Sequence, residues 1–314
     1  MSVLRVPKSY SIIKKRSEVF VMVFHIPDAK KKRVIINTDA KNEVDDQFAI
    51  VHALLTESFD LRGIVPAHFG DRKSDHSLED SYDEVMLLLN MMNMQDSVRV
   101  EKGATHAMPD EATPVDSAGA RFIIQEAMKA DDRPLYIAFL GPLTDMASAL
   151  LLEPEIAKKD IKVIWIGGGD WPSGCNEYNL SNDIPSANVI MKSSLELWQI
   201  PRNVYRMMPV TFAEMTRKVK PHGKVGEYLV DNVISFNNEG IKRPAEYRVL
   251  GDSPAVGVML YEDCGKWTWR PAPEFDANMK YVHTGKNRPI KVYETMDNHF
   301  IMEDFYAKLE DFAK

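Results

Sequence analysis

Cysteine is almost missing from this chain: 314 residues carry two, Cys175 and Cys264. Far apart and without CxxC spacing, they exclude a disulfide framework and lead to the expectation of free thiols in a reducing compartment. Long apolar runs are missing too. The N-terminal VFVMVFHI, Val19 to Ile26, is too short to span a bilayer and carries a histidine. It follows a basic KKR but lacks a clear small-residue cleavage site, so the expectation is a cytoplasmic protein without a signal peptide. Positive charge is in deficit, with 39 Lys and Arg against 46 Asp and Glu and a formal net charge of -7. That argues against a polyanion as main partner, since phosphate backbones are bound by clustered Lys and Arg. The basic stretches at Lys14 to Arg16 and Lys30 to Arg33 read as solvated flanks, and neither nucleic acid nor membrane is expected as a partner. Internal repeats, low-complexity segments and Pro/Gly/Ser linkers are also lacking, which favours one domain over two.

What is present is the composition of an ordinary globular protein, 45% hydrophobic and 27% charged. Residues 1–32 read as an extension and 33–314 as a single domain. Within it, apolar runs alternate with helical patterns: VII (Val34 to Ile36) then DDQFAIVHALL, LRGIVPAHFG then EDSYDEVMLLLNMMNM, PLYIAFLG then PLTDMASALLL, and IKVIWIGGG then IPSANVIMKSS. Continuous apolar strands each followed by a helix are what a parallel sheet covered on both faces requires. The fold class is α/β, an open, mostly parallel central sheet. In such sheets ligands bind at the carboxyl ends of the strands, and the unusual residues of this chain stand there. The Met-rich run Met86 to Met92 reads as core packing.

The first of those ends, NTDAKNEVDD, holds Asp39, Glu43, Asp45 and Asp46. A helix N-cap and first turn account for one or two carboxylates. Four crowded together raise one another's pKa unless a cation neutralises them, and a hard divalent ion with oxygen ligands does so. A phosphate loop or dinucleotide fingerprint needs glycines here, and an EF-hand needs a central Gly and a terminal Glu; neither pattern is present.

This loop resembles the amino-terminal signature of the calcium-dependent nucleoside hydrolases of the inosine-uridine type: a strand, Asp-Thr-Asp-Pro-Gly, one variable residue, then Asp-Asp opening a helix. Thr38, Asp39, Asp45 and Asp46 match. Asn37 stands where the family usually has Asp, Ala40-Lys41 replaces Pro-Gly, and two residues are inserted. Further segments follow in order. GPLTDMASAL resembles the family's Gly-Pro-Leu-Thr-Asn, VIWIGGG its strand ending in glycines, NEYN its Glu-Phe-Asn, MMPVT its next strand, and GDSPAV its late His-Asp-Pro. The resemblance implies Ca²⁺ bound by Asp39, Asp46, the Leu140 carbonyl and Asp252. It places Asp45, Glu177 and Asn179 on the ribose hydroxyls, with Asn176 assisting. Asp39 is then the general base for a water held at the ion, and homodimers or homotetramers are the usual assembly.

The implied reaction is hydrolysis of the N-glycosidic bond of a ribonucleoside to base and ribose. Gly251 replaces the family's histidine, so the donor to the leaving base is missing there, and His68 and His76 are the imidazoles near enough in sequence to be weighed. Trp171, Trp267 and Trp269 read as core or interface residues before base-stacking ones, and Tyr178 as packing under the ribose site. Asp297 and His299 carry no catalytic label. Two alternatives stand beside the hydrolase: cleavage of a different glycoside or modified nucleoside, and metal-dependent sugar or nucleoside binding without turnover.

Overall fold

The computed structural model describes residues 25–240 and 245–314. Along the chain, β1 (Lys32–Thr38) leads into α1 (Asp46–Leu54), β2 (Phe59–Pro66) into α2 (Ser77–Met91) and α3 (Ala118–Ala127), and β3 (Leu135–Phe139) into α4 (Thr144–Leu152). Next, β4 (Ile161–Ile166) leads into α5 (Tyr178–Asn182) and α6 (Ile184–Lys192). Then come β5 (Glu196–Ile200), α7 (Arg202–Tyr205), β6 (Pro209–Thr211), α8 (Phe212–Lys218), α9 (Gly223–Ser235) and β7 (Tyr247–Val249). The chain closes with α10 (Ser253–Leu260), β8 (Trp267–Pro271), β9 (Glu274–Phe275), β10 (Tyr281–Val282), β11 (Pro289–Tyr293) and α11 (Asn298–Phe312).

Seven strands form one sheet in the order β2-β1-β3-β4-β5-β11-β8, with every neighbouring pair parallel except β11 and β8. Period-two alternation of buried side chains explains why both faces are covered. Val34 and Ile36 of β1 enter the core shared with α1, α9 and α10, while Ile35 enters the core shared with α3, α4 and α6. The α/β class read from the apolar runs is the class observed.

Three strands of the sheet were not marked by those runs. In β5, LELWQI, the polar Gln199 is fully buried and donates to the Gly167 carbonyl and the Tyr281 hydroxyl. In β11 the interruption is Lys291, 2% exposed, whose ammonium lies 3.7 Å from the centre of the Trp198 ring and 4.4 Å from that of Trp267. Its neighbour β8 presents Trp269 half-exposed at the sheet edge. The strand in MMPVT exists as β6 but pairs with β7 outside the central sheet. The apolar stretch Val19 to Ile26 lies outside the described residues up to position 24, and His25 and Ile26 form no strand.

From β1 the chain crosses to β2 on one side, and from β3 to β4 on the other. The crevice at such a reversal opens outside the carboxyl ends of the two middle strands, here after Thr38 and Phe139.

Candidate active site

A cavity of ≈ 70 Å³ occupies that crevice, lined by Asp39, Asp45, Asp46, Asp252, Glu177 and Tyr205 among others. Its acidic half is built by the β1–α1 loop and the entry to α10. Asp39, Asp46 and Asp252 are 2%, 3% and 5% exposed. Carboxylate oxygens of Asp45, Asp46 and Asp252 lie within 4.8 Å of one another. Asp45 occupies the N-cap of α1 but makes no side-chain capping bond, so the N-cap reading does not use its carboxylate. Instead its Oδ2 accepts from the Gly251 N–H at 2.9 Å. Thr38 Oγ1 donates to Asp46 Oδ1 at 2.6 Å, and Asn42 Nδ2 to Asp39 Oδ2 at 3.0 Å. Glu43, the fourth carboxylate of the loop, also lines the cavity and repels Asp45, while its own charge is paired with Arg248.

Burial comes first, and mutual repulsion next, in shifting these groups. Asp39 and Asp252 are pushed well above the ordinary carboxylate range, Asp45 up to about 6 and Asp46 up to about 7. The charge is left for something else to neutralise. The donor set is all oxygen, with no His or Cys among the cavity-lining residues. Such a set fits a hard divalent cation, and three converging carboxylates are chemically suited to hold one.

The backbone brings Leu140 to the same floor. Gly141, next in sequence, is needed because a Cβ there would stand 2.8 Å from the Asp39 Cγ. The Leu140 carbonyl accepts from Asn179 Nδ2 at 2.6 Å, which leaves its second lone pair for the cavity. The same amide donates to the Ile166 carbonyl at 2.8 Å, so Asn179 ties the ends of β3 and β4 together.

A second wall is supplied with protein donors. Glu177 is the N-cap of α5, and its carboxylate accepts from the N–H groups of Gly168, Asn179 and Leu180 at 2.9, 3.2 and 2.9 Å. The Tyr205 hydroxyl adds a fourth bond at 3.1 Å. Gly168 can offer its N–H because its φ of +86° suits only glycine, and a Cβ would stand 2.4 Å from Gln199 Nε2.

Of the residues expected here, the cavity gathers Asp39, Asp45, Asp46, Leu140, Glu177, Asn179 and Asp252. Asn176 is a departure: it is exposed and does not line the cavity, because α5 begins only after Glu177 and the preceding residue stays on the outer turn. Tyr178 also departs. It is 51% exposed at the cavity mouth instead of packed beneath the site, with Arg72 and Lys73 set against its ring.

His68 is fully buried, with Nδ1 accepting from the Gly70 N–H and Nε2 bonded to Thr144 Oγ1. Desolvation lowers it to about 4, so it is a neutral structural imidazole with both nitrogens in use. His76 is at the surface beside Asp75. Trp171 packs on Tyr281, and Trp267 and Trp269 flank Lys291, all away from the cavity lining. Asp297 caps α11 through the Phe300 N–H. Asn42 and Tyr205 also line the cavity and were not singled out by sequence, whereas Gly251 was noted only as the replacement of a histidine. The insertion that carries Asn42 was the available signal for the first; nothing local marked Tyr205.

Asn37 points to the family's other departure. Its Nδ2 donates to Asp145 Oδ2 at 2.9 Å, and Asp145 stands where the resembling motif has Asn.

The family model described as inosine-uridine preferring nucleoside hydrolase matches residues 34–300. A probable uridine nucleosidase 2 of Arabidopsis thaliana is 24% identical over 222 residues, covering 63% of this chain and 68% of that protein. A pyrimidine-specific ribonucleoside hydrolase, RihA, of Escherichia coli O127:H6 is 23% identical over 252 residues, covering 72% and 76%. Among solved structures, a purine-preferring ribonucleoside hydrolase from Gardnerella vaginalis superposes with a TM-score of 0.73 at 21% identity, over 90% of this chain and 99% of that one.

Proposed function

The chain belongs to the inosine-uridine preferring nucleoside hydrolase family and is an N-glycosyl hydrolase of ribonucleosides, and on that premise we propose how its residues divide the work. The cation is Ca²⁺, held by Asp39, Asp46, Asp252 and the Leu140 carbonyl. Asp45, Glu177 and Asn179 hold the ribose, and Asn176 is left out of the sugar set. The observation that supports this reading is the convergence of Asp45, Asp46 and Asp252 within 4.8 Å, with Asp39 lining the same cavity and only neutral groups hydrogen-bonded to Asp39, Asp45 and Asp46.

When bound, the ion supplies a hard Lewis acid that draws water and sugar hydroxyls to one place. Asp39 takes a proton from the attacking water as its oxygen bonds to the anomeric carbon. The bond from that carbon to the base nitrogen breaks, and its electron pair leaves with the base. Asp45 and Glu177 place negative charge beside the oxocarbenium-like sugar, and their fixed hydrogen bonds make that placement rigid. No imidazole of this chain serves the departing base from position 251, where the backbone N–H is spent on Asp45.

The unpaired state of Cys175 and Cys264 supports a cytoplasmic setting, and no described helix is long and apolar enough to cross a membrane. A homodimer or homotetramer of a single domain from residue 33 onward completes the proposal.

The relatives named above make uridine the first substrate to try, with purine ribonucleosides beside it. Reducing-sugar release should be abolished by chelator and by Asp39→Asn. Wild-type turnover in Asp39→Asn would refute the assignment of the base. Tight Ca²⁺ and nucleoside binding without release would favour the non-catalytic binder.

A further inference from the structure

The residues between Asp39 and Asp45 depart from the family's Asp-Pro-Gly pattern, yet each polar side chain there has a definite partner. Lys41 pairs with buried Glu84 at 2.7 Å, and Glu43 pairs with Arg248. Asn42 lies between two groups of opposite need. Lys73, on the loop joining β2 to α2, donates to Asn42 Oδ1 at 2.8 Å and to its carbonyl oxygen at 2.6 Å. On the other side, Asn42 Nδ2 reaches Asp39 Oδ2 at 3.0 Å.

An ammonium has three donors and no acceptor, so the amide oxygen must face Lys73. The NH₂ group is then forced toward Asp39. Without that ammonium, the amide oxygen and the Asn42 carbonyl lose their anchor, and the side chain is held only by its bond to Asp39. Lys73 also lies 5.1 Å from the centre of the Tyr178 ring, so it spans two residues that line the cavity mouth.

We propose that Lys73 is a positioning residue for hydrolysis: by fixing the Asn42 amide, it holds the Asp39 carboxylate by its Oδ2 atom in the orientation the reaction needs. The inference rests on Asp39 as general base. It gives the altered loop a purpose, replacing a rigid Pro-Gly turn with a tether anchored from the next strand's loop. Reorientation of a catalytic group by a fraction of an ångström is costly in rate, while the substrate contacts of Asp45 and Glu177 stay as they are.

The experiment compares Lys73→Met, Lys73→Arg, Asn42→Leu and the Lys73→Met/Asn42→Leu double variant in Ca²⁺-loaded enzyme, reading kcat, KM and melting temperature. Lys73→Met should lower kcat about tenfold with KM within about twofold and melting unchanged within about 2 °C. Lys73→Arg should restore most of the rate, and the double variant should be no slower than Asn42→Leu alone, since both act through one path. Wild-type kcat in Lys73→Met, a loss confined to KM, or multiplying losses in the double variant would each overturn the proposal. If Asn42→Leu does not fold, the two Lys73 variants decide alone. An inactive Asp39→Asn beside a fully active Lys73→Met sinks this inference only; an active Asp39→Asn sinks the reading beneath it.

Discussion

Both walls of the cavity are built from buried carboxylates at the ends of parallel strands, but they are in opposite conditions. Glu177 accepts four hydrogen bonds from the protein and caps a helix while doing so. Across from it, Asp39, Asp45 and Asp46 have Asn42, the Gly251 N–H and Thr38 as named partners, and they crowd one another and Asp252. One wall has protein donors for its charge before any ligand arrives; the other is held in place by the rest of the fold against its own repulsion. Stability and function should therefore respond in opposite senses on the two sides.

The sharpest break of this contrast is a pair of single substitutions. Asp46→Asn keeps the acceptor for Thr38 but removes a charge. It should weaken Ca²⁺ binding by more than about 100-fold, beyond what outer-shell changes cost, and raise the melting temperature of chelated protein. Glu177→Gln replaces acceptor oxygens that face backbone N–H groups with a donor. It should leave Ca²⁺ affinity within about threefold and lower stability by about 2 kcal/mol. Calorimetric titration and thermal melts of both variants check the pair, and a stabilising Glu177→Gln would end the distinction.

Beneath the acidic wall, Asn37 and Asp145 offer a finer test. Asp145 Oδ1 accepts from Ser117 Oγ and the Ala104 N–H, while Oδ2 faces Asn37. After Asp145→Asn, Oδ1 can keep both bonds and the amide can donate to a carboxylate at 37. Asn37→Asp alone should cost about 2 kcal/mol by setting two buried carboxylates together, and the double exchange should recover most of it. Additive losses in denaturant melts would show that the exchange is not a compensated one.

The parts of this architecture legible in sequence were those with a local signature. Unbroken apolar runs marked β1, β3 and β4, and the carboxylates after β1 marked the acidic wall. What escaped was long-range. β11 hides because Lys291 interrupts its pattern, and only the tertiary fold supplies the indoles of Trp198 and Trp267 that make an ammonium tolerable there. Asn176 was drawn into the site by its place beside Glu177, but one residue before the N-cap of α5 is enough to put a side chain outside. Tyr205 joins Glu177 across 28 residues, a relation that spacing cannot disclose.

The smallest effect separates charge from packing on the acidic wall. Carboxylates raised in the folded state and ordinary in the unfolded chain contribute stability that is full below the unfolded value, near 4, and is lost as pH rises through the folded values. For Asp45 and Asp46 those values are about 6 and about 7. Chelated wild-type protein should thus lose ground against Asp46→Asn as pH rises from about 5 to about 8, by a few degrees in melting temperature for a chain of this size. Taking the difference between the two proteins removes the titration of groups remote from position 46, while Asp39 and Asp252, which the Asp46 charge helps to raise, relax in the variant and add to the difference in the same direction. Saturating Ca²⁺ should reverse the ranking at the upper end, since an ion bound only to the folded wild type adds about 2.7 kcal/mol at a hundred times its Kd. A difference that stays flat with pH would mean that packing around position 46, and not the confined charge, sets the cost of this wall.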